Sequence, residues 1–109
     1  MKEIKAFVRP FKVDDIFYFL MEEGFPNLTV SMAEGTGCLN RNETENTTYF
    51  SITDNKVARI EIVCNDSEVE KIVSIISSKG RTGNPGDGII YVSDVERVIR
   101  IKNEENVDH

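Results

Sequence analysis

Residues 82–92 read Thr-Gly-Asn-Pro-Gly-Asp-Gly-Ile-Ile-Tyr-Val, a glycine-rich loop that runs directly into an apolar strand. Three glycines and a proline within seven residues cannot pack a core, so the first part is a loop with unusual backbone geometry. Because glycine has no Cβ, a ligand can come within hydrogen-bonding distance of the backbone, and successive N–H groups of this kind bind phosphates. The sequence lacks the Gly-Lys-Ser/Thr ending of a Walker loop. By itself, the pattern is more typical of a glycine-rich turn into a strand than of a binding loop.

Strand-like and helix-like segments surround this loop. Strands are predicted where apolar residues alternate with others, and helices where apolar residues recur every three or four positions. The predicted order is strand 4–8, helix 13–21, strand 28–33, strand 58–64, helix 69–80, strand 89–92 and strand 98–102.

Local signals predict the limits of the helices and part of the core. Gly24 is well placed to end the first helix. Ser67 and Glu70 have the capping-box pattern at the start of the second helix. We expect Met21 and the phenylalanines to lie in the core, and Cys64 to be a buried small hydrophobic residue.

This order predicts an α+β fold, the ferredoxin-like βαββαβ arrangement, with an antiparallel sheet and both helices on one face. Phe7, Ala33 and Val63 fall on the other face of the sheet. We expect another part of the protein or another subunit to cover these apolar residues. A chain of 109 residues fits one domain, and oligomerisation would help to stabilise it. We place the domain at residues 1–102 and a flexible C-terminal tail at 103–109.

The composition excludes several classes of function. A net charge of −6 argues against binding the nucleic-acid backbone. His109 is the sole histidine, and Cys38 and Cys64 set no metal spacing, so a zinc site and histidine-based catalysis lack their usual residues. No apolar run reaches about 18 residues and the N-terminus does not resemble a signal peptide. We therefore expect a cytoplasmic protein without direct membrane insertion.

Three separated segments resemble the PII family of nitrogen regulatory signal-transduction proteins. They are Lys-Glu-Ile-Lys-Ala-Phe-Val-Arg-Pro-Phe-Lys at 2–12, the Thr-Gly-x-x-Gly-Asp-Gly loop, and Val-Glu-Arg-Val-Ile-Arg-Ile-Lys at 95–102. The resemblance runs from Met1 to about Lys102 and fails mainly between Cys38 and Val57. It implies a homotrimer whose three sheets enclose a common centre. It also implies an adenine nucleotide (ADP, AMP or ATP) as effector in the clefts between subunits, and a regulatory rather than an enzymatic role.

The resemblance also implies which residues contact the nucleotide. Glycine N–H groups and two cations suit phosphates, while a hydroxyl and a carboxylate suit the amino group of the base. One subunit would provide Phe7, Gly35, Thr36, Gly37, Cys38, Gly86, Asp87, Gly88 and Ile89, and its neighbour would provide Thr29, Glu61, Val63, Arg100 and Lys102.

Residues 38–55 form a polar segment without periodicity, which is unusually long for a loop inside so small a domain. The resemblance identifies this segment as the T-loop, which docks onto target proteins. Tyr49 and Phe50 are its aromatic residues and are candidate partner contacts. The expected target is a membrane transporter or a metabolic enzyme, and a tolerated surface insertion is the alternative.

Several positions depart from the family pattern. Leu39 replaces a glutamine that supports magnesium-ATP and 2-oxoglutarate in the family. Ile89 and Val57 replace lysines, although Lys56 is adjacent, and Lys102 replaces an arginine. Because cations that would meet the β- and γ-phosphates are missing, we expect ADP or AMP to bind at least as well as ATP. We also expect no enhancement by 2-oxoglutarate.

A second interpretation is a metal-linked trimer of the same fold, resembling the divalent-cation tolerance proteins. In that case Cys38, with the carboxylates of Glu43, Glu45 and Asp54, would bind a soft cation. The glycine-rich loop and the Arg-Ile-Lys ending favour PII instead, and one thiol makes a poor site. A small nucleotide hydrolase is a third possibility, but no nucleophile–base pair stands out.

Overall fold

The computed structural model describes residues 1–35 and 56–107. Within them, strands and helices follow in the order β1 (Lys2–Val8), α1 (Val13–Glu22), β2 (Thr29–Glu34), β3 (Lys56–Cys64), α2 (Val69–Gly80) and β4 (Gly88–Asp94). The strands form an antiparallel sheet in the order β2-β3-β1-β4. This is the predicted α+β, ferredoxin-like arrangement.

The core lies between the two helices and one face of the sheet. Cys64 on β3 belongs to this core, as predicted, and burial, followed by the nearby carboxylates of Glu68 and Asp66, raises the pKa of its thiol. Within residues 1–35 and 56–107, neither helix has the length and hydrophobicity that a membrane span requires. The buried core residues include Ile4, Ala6 and Val8 of β1, Ala58, Ile60 and Ile62 of β3, Ile16 and Leu20 of α1, and Val69, Ile72 and Ile76 of α2.

Helix α1 buries a narrower stripe than its sequence predicted. Ile16 and Leu20 are buried, but Phe17 and Met21 are exposed, and so is Phe11 in the turn before the helix. The expectation that Met21 and the phenylalanines lie in the core is therefore wrong for these residues. Positions four apart face the sheet, whereas Phe17 and Met21 lie one position further round the helix, at the margin of the stripe.

The end of α1 confirms the role predicted for Gly24. The N–H of Gly24 donates to the carbonyl of Met21 at 3.1 Å, and that of Phe25 donates to the carbonyl of Leu20 at 2.8 Å. With φ at +91°, Gly24 takes the left-handed conformation that this Schellman ending requires.

The start of α2 differs from its prediction by two residues. A 3-10 turn at Asp66–Glu68 precedes the helix, and the capping box is formed by Asn65 and Glu68 rather than by Ser67 and Glu70. The Asn65 N–H donates to Glu68 Oε1 at 2.9 Å. Because of this extra turn, the first backbone N–H groups without a helical partner lie closer to the N-terminus, and the capping residues are therefore Asn65 and Glu68.

The segment after β4 is not the strand that we predicted at 98–102. The chain folds back on itself, and the Val107 N–H donates to the Val98 carbonyl at 2.8 Å while the Arg100 N–H donates to the Glu105 carbonyl at 2.9 Å. Ile99 pairs with Asn106 in an isolated bridge. The backbone groups of this segment therefore form hydrogen bonds with the residues that follow it, in a short hairpin, rather than with a strand of the sheet. The domain limits, 1–102 with a tail at 103–109, stay a prediction.

The face of the sheet away from the helices carries the apolar residues that the alternation predicted. Phe7 and Tyr91 pack edge to face there, with ring centroids 5.8 Å apart. Val63 is 44% exposed and Tyr91 is 51% exposed. The described part of a single chain thus leaves apolar surface on this face, which we call the open face.

Candidate functional site

The glycine-rich loop leads into the sheet at the same end where the residues that border the segment 36–55 lie. Val8, the last residue of β1, pairs with Gly88, the first residue of β4. Glu34, the last residue of β2, pairs with Lys56, the first residue of β3. Because neighbouring strands are antiparallel, these four positions and Gly35 lie at one end of the sheet. The pairing of Glu34 with Lys56 also brings together the two residues that border Gly35 and the segment 36–55.

The glycine-rich loop is organised around the carboxylate of Asp87. The backbone N–H groups of Thr82 and Gly83 donate to Oδ2 at 2.8 and 2.9 Å. Oδ1 accepts from Arg9 Nε at 3.0 Å and from the Thr82 hydroxyl. The same hydroxyl accepts the Asn84 N–H at 3.1 Å. The loop therefore has a definite shape, held by side chains rather than by a core.

These contacts keep Asp87 ionised. The hydrogen bond from the Thr82 hydroxyl lowers the pKa of Asp87 most, and donors from the Thr82 backbone, Arg9 and the Gly83 backbone add to it. Partial burial acts in the opposite direction and is outweighed. The pKa of this carboxyl is therefore well below its usual range.

Two of the predicted loop residues, Gly86 and Gly88, adopt backbone conformations that favour glycine. Gly86 has φ at +92° and Gly88 has φ at +116°, a region that side chains disfavour. Gly88 also lies directly against the backbone carbonyl of Phe7, where a Cβ would clash. The close approach of the loop to β1 thus depends on glycine at position 88.

A concavity of about 310 Å³ opens beside this loop, between the end of α2 and the adjoining ends of β1 and β4. Four of the predicted site residues line it, namely Phe7, Asp87, Gly88 and Ile89. The side chain of Ile89 is about half exposed. The structure therefore places these four residues of the first predicted half together, whereas Gly35 follows β2, at the opposite edge of the sheet from β4.

Part of the second predicted half lies on the open face. Thr29 on β2 is directly opposite Glu61 on β3, and Val63 is two residues further along the same strand, on the same face. Glu61 Oε1 is 3.2 Å from Arg59 Nε, which also donates to Ser31 Oγ at 3.1 Å. A carboxylate and a hydroxyl thus stand next to each other beside an apolar side chain.

The basic pair is placed differently. Arg100 and Lys102 are exposed in the hairpin that follows β4. This hairpin begins at the end of the sheet opposite the glycine-rich loop, because the loop precedes β4 and the hairpin follows it. That end is marked by the hydrogen bond from the Val95 N–H to the Met1 carbonyl, 3.1 Å long. The prediction that the two basic side chains share the face of a strand is wrong, because this segment forms no strand of the sheet.

The remaining predicted positions lie outside the described residues. They are Thr36, Gly37 and Cys38 of the predicted nucleotide site, the predicted partner contacts Tyr49 and Phe50 in the segment 38–55 that we expect to be the T-loop, and the ligands Cys38, Glu43, Glu45 and Asp54 of the alternative metal interpretation.

Sequence reasoning missed Arg9 and Arg59. Arg9 follows the first predicted strand, and nothing in the surrounding sequence indicates its partner. That partner, Asp87, is 78 positions away in the chain. For Arg59, the alternation of its strand indicates only that it lies on the face opposite to Ala58 and Ile60. An ion pair between residues far apart in the chain cannot be predicted from the sequence until the order of the strands is known.

Comparison with known proteins agrees with this architecture. The family model described as nitrogen regulatory protein P-II matches residues 1–105. The nitrogen regulatory protein P-II of Pyropia yezoensis is 39% identical over 107 residues, which cover 96% of this chain and 95% of that protein. The protein of the same name from Pasteurella multocida (strain Pm70) is 38% identical over 113 residues, covering 99% and 98%. That of Rhizobium meliloti (strain 1021) is 36% identical over 109 residues, covering 96% and 95%.

The family model matches nearly the whole chain, the relatives align over nearly their full length, and the fold is a ferredoxin-like sheet with a glycine-rich loop. The chain belongs to the P-II family of nitrogen regulatory signal-transduction proteins.

Proposed function

We propose that this protein binds an adenine nucleotide in clefts between the subunits of a homotrimer, and that it regulates a partner protein through its T-loop. The observation that carries the proposal is the glycine-rich loop, which is held in a definite shape at the same end of the sheet as Gly35 and Lys56, the residues that border the T-loop segment. A nucleotide that extends from this loop along the end of the sheet would reach the base of the T-loop.

The phosphates would lie against the second half of the glycine-rich loop. The N–H groups of Thr82 and Gly83 already donate to Asp87, so they do not face a ligand. The donors offered to a phosphate are therefore expected from the stretch Gly86–Ile89, where Gly86 and Gly88 allow close approach. Arg100 and Lys102, exposed in the hairpin of a neighbouring subunit, would add positive charge.

The base would lie between Phe7 and the neighbouring subunit's group at Thr29, Glu61 and Val63. A carboxylate beside a hydroxyl accepts hydrogen bonds from an amino group, which adenine has and guanine lacks at the same ring position. The adjacency of Thr29 and Glu61 in the sheet supports this part of the proposal.

The site favours nucleotides with few phosphates. Ile89 is an exposed apolar residue beside the loop, at the position where the family has a lysine, and Val57 is buried at another such position. We infer that ADP or AMP binds at least as well as ATP and that 2-oxoglutarate gives no enhancement. Restoring a cation at position 89 should favour ATP.

The open face supports a homotrimer, since Phe7, Val63 and Tyr91 would be covered by neighbouring sheets. The regulated partner would be a transporter or a metabolic enzyme, contacted through Tyr49 and Phe50. We propose a regulator that is not an enzyme and acts in the cytoplasm. Nothing in the described residues favours the metal-linked alternative, and its ligands lie outside them.

Isothermal titration of the wild-type protein with ADP, AMP, ATP and GDP tests the nucleotide proposal. We expect ADP and AMP to bind, GDP to bind far more weakly, and 2-oxoglutarate to leave the ATP isotherm unchanged. The Ile89→Lys variant should gain roughly ten-fold in affinity for ATP over ADP, because it adds a charge-assisted hydrogen bond to a phosphate. Ile89→Met is the neutral control. A wild-type protein that binds no adenine nucleotide would refute the proposal.

A further inference from the structure

We propose that Arg9 and Asp87 are a positioning pair which holds the glycine-rich loop ready for its ligand, and that the Asp87 side chain does not contact the ligand. The inference rests on the proposed nucleotide function and deepens it. It assigns a role to Arg9, which the site prediction did not include, and changes the role predicted for Asp87 from a contact to a support.

The hydrogen-bond count of Asp87 carries the second half of the proposal. An ionised carboxylate offers about four lone-pair positions on its two oxygens. Oδ2 accepts the N–H groups of Thr82 and Gly83, and Oδ1 accepts Arg9 Nε and the Thr82 hydroxyl. All four positions are therefore occupied by groups of the protein. A ribose hydroxyl, an amino group or a metal ion would have to displace one of them.

Arg9 connects this carboxylate to the rest of the fold. Its Nε donates to Asp87 at 3.0 Å while its Nη2 donates to the carbonyl of Pro85 at 2.6 Å, so one guanidinium holds two points of the loop. Arg9 directly follows β1, an inner strand that pairs with both β3 and β4. The side chains of Arg9 and Asp87 are 29% and 25% exposed, so solvent screens this ion pair less than an ordinary surface pair.

The loop needs such an anchor because of its composition. Glycine loses more conformational freedom on ordering than any other residue, and Gly83, Gly86 and Gly88 all have positive φ. A loop that was disordered before binding would have to be ordered at the expense of affinity. The pair formed by Arg9 and Asp87 orders the loop in advance.

The experiment combines nucleotide titration with amide hydrogen exchange of residues 82–88 in the ligand-free protein. Arg9→Gln and Asp87→Asn should each speed exchange of the loop and weaken ADP binding, both by roughly ten-fold, the effect of losing a hydrogen bond to a charged group. The double variant should be little worse than either single one, since both remove the same interaction. Arg9→Lys should recover part of the loss, because it keeps a cation but not the second contact to Pro85.

Lys12→Gln is the matched control. It removes one positive charge from the same connection after β1, where the Lys12 ammonium lies 5.7 Å from the centre of the Phe11 ring. We expect it to leave loop exchange and ADP affinity unchanged. If Asp87→Asn does not fold, Thr82→Val removes one donor to the same carboxylate and takes its place.

Two results would overturn the inference. If Asp87→Asn weakens ADP binding while loop exchange stays that of the wild type, Asp87 is a direct ligand contact. If Arg9→Gln changes neither quantity, Arg9 does not position the loop. A wild-type protein that fails to bind ADP refutes the proposed function instead, and exchange in the ligand-free protein then still decides whether the pair orders the loop.

Discussion

Gly88 and Phe7 approach so closely that a Cβ on residue 88 would stand 1.8 Å from the Phe7 carbonyl oxygen. Val8, the residue after Phe7, is the cross-strand partner of Gly88, so this contact occurs where β4 first pairs with β1. The glycine-rich loop can join the sheet at this point only because position 88 has no side chain.

Substitution of Gly88 by alanine should therefore destabilise the protein. Both the backbone clash and the φ of +116° oppose a side chain there, and we expect a loss of about 2 kcal/mol or more in the free energy of unfolding, measured by urea denaturation. Gly24→Ala is the control, because it has a similar φ of +91° but open space around its Cβ. Equal losses in the two variants would show that the clash has no effect of its own.

Stability should fall in acid through Asp87. The pKa of this carboxyl is lowered in the folded state, so its contribution is fully present above the ordinary value of 3.8 and is lost as the pH falls below that value. The hydrogen bond from Lys2 lowers the pKa of Asp94 in the same direction. Urea denaturation at pH 7 and pH 3 should show a smaller acid loss for Asp87→Asn than for the wild type. An unchanged acid loss would contradict the lowered pKa.

Arg100 is expected to be the strongest single phosphate contact from the neighbouring subunit. A charge-assisted hydrogen bond contributes about 1.5–3 kcal/mol, so Arg100→Ala should weaken nucleotide binding by about ten-fold to a hundred-fold. Lys102→Ala should have a smaller effect, since lysine lacks the bidentate geometry of arginine. Arg97→Ala, another exposed arginine just before the hairpin, is the control. Normal binding by a correctly assembled Arg100→Ala protein would remove the basic pair from the site.

The open face should be the face that assembles the subunits. Tyr91 and Val92 are neighbours on β4 with similar exposure, 51% and 46%, but they point to opposite faces of the sheet. Sedimentation equilibrium of the wild type should give about three times 12.4 kDa. Tyr91→Lys should lower this mass, whereas Val92→Lys should not. A wild-type monomer, or dissociation caused by Val92→Lys alone, would contradict a trimer assembled through the open face.

The sequence by itself determined the order of the elements and most of the sheet. Alternation at Ile4, Ala6 and Val8, and again from Ala58 to Cys64, reflects a strand with one buried face, and this pattern is local. Gly24 was recognisable for the same reason, because the left-handed ending of a helix needs glycine within a few residues. The glycine-rich loop is likewise recognisable from its composition alone, since three glycines and a proline in seven residues exclude a regular element.

Tertiary structure alone decided how that loop is held. Arg9 and Asp87 are 78 positions apart, and they meet only because β1 pairs with β4. The hairpin at 98–107 was equally hidden, since Val98–Lys102 has the composition of a strand and the choice of its hydrogen-bond partner depends on the whole fold. Periodicity reports which face of an element is buried. Pairing between distant segments depends on geometry that no local pattern contains.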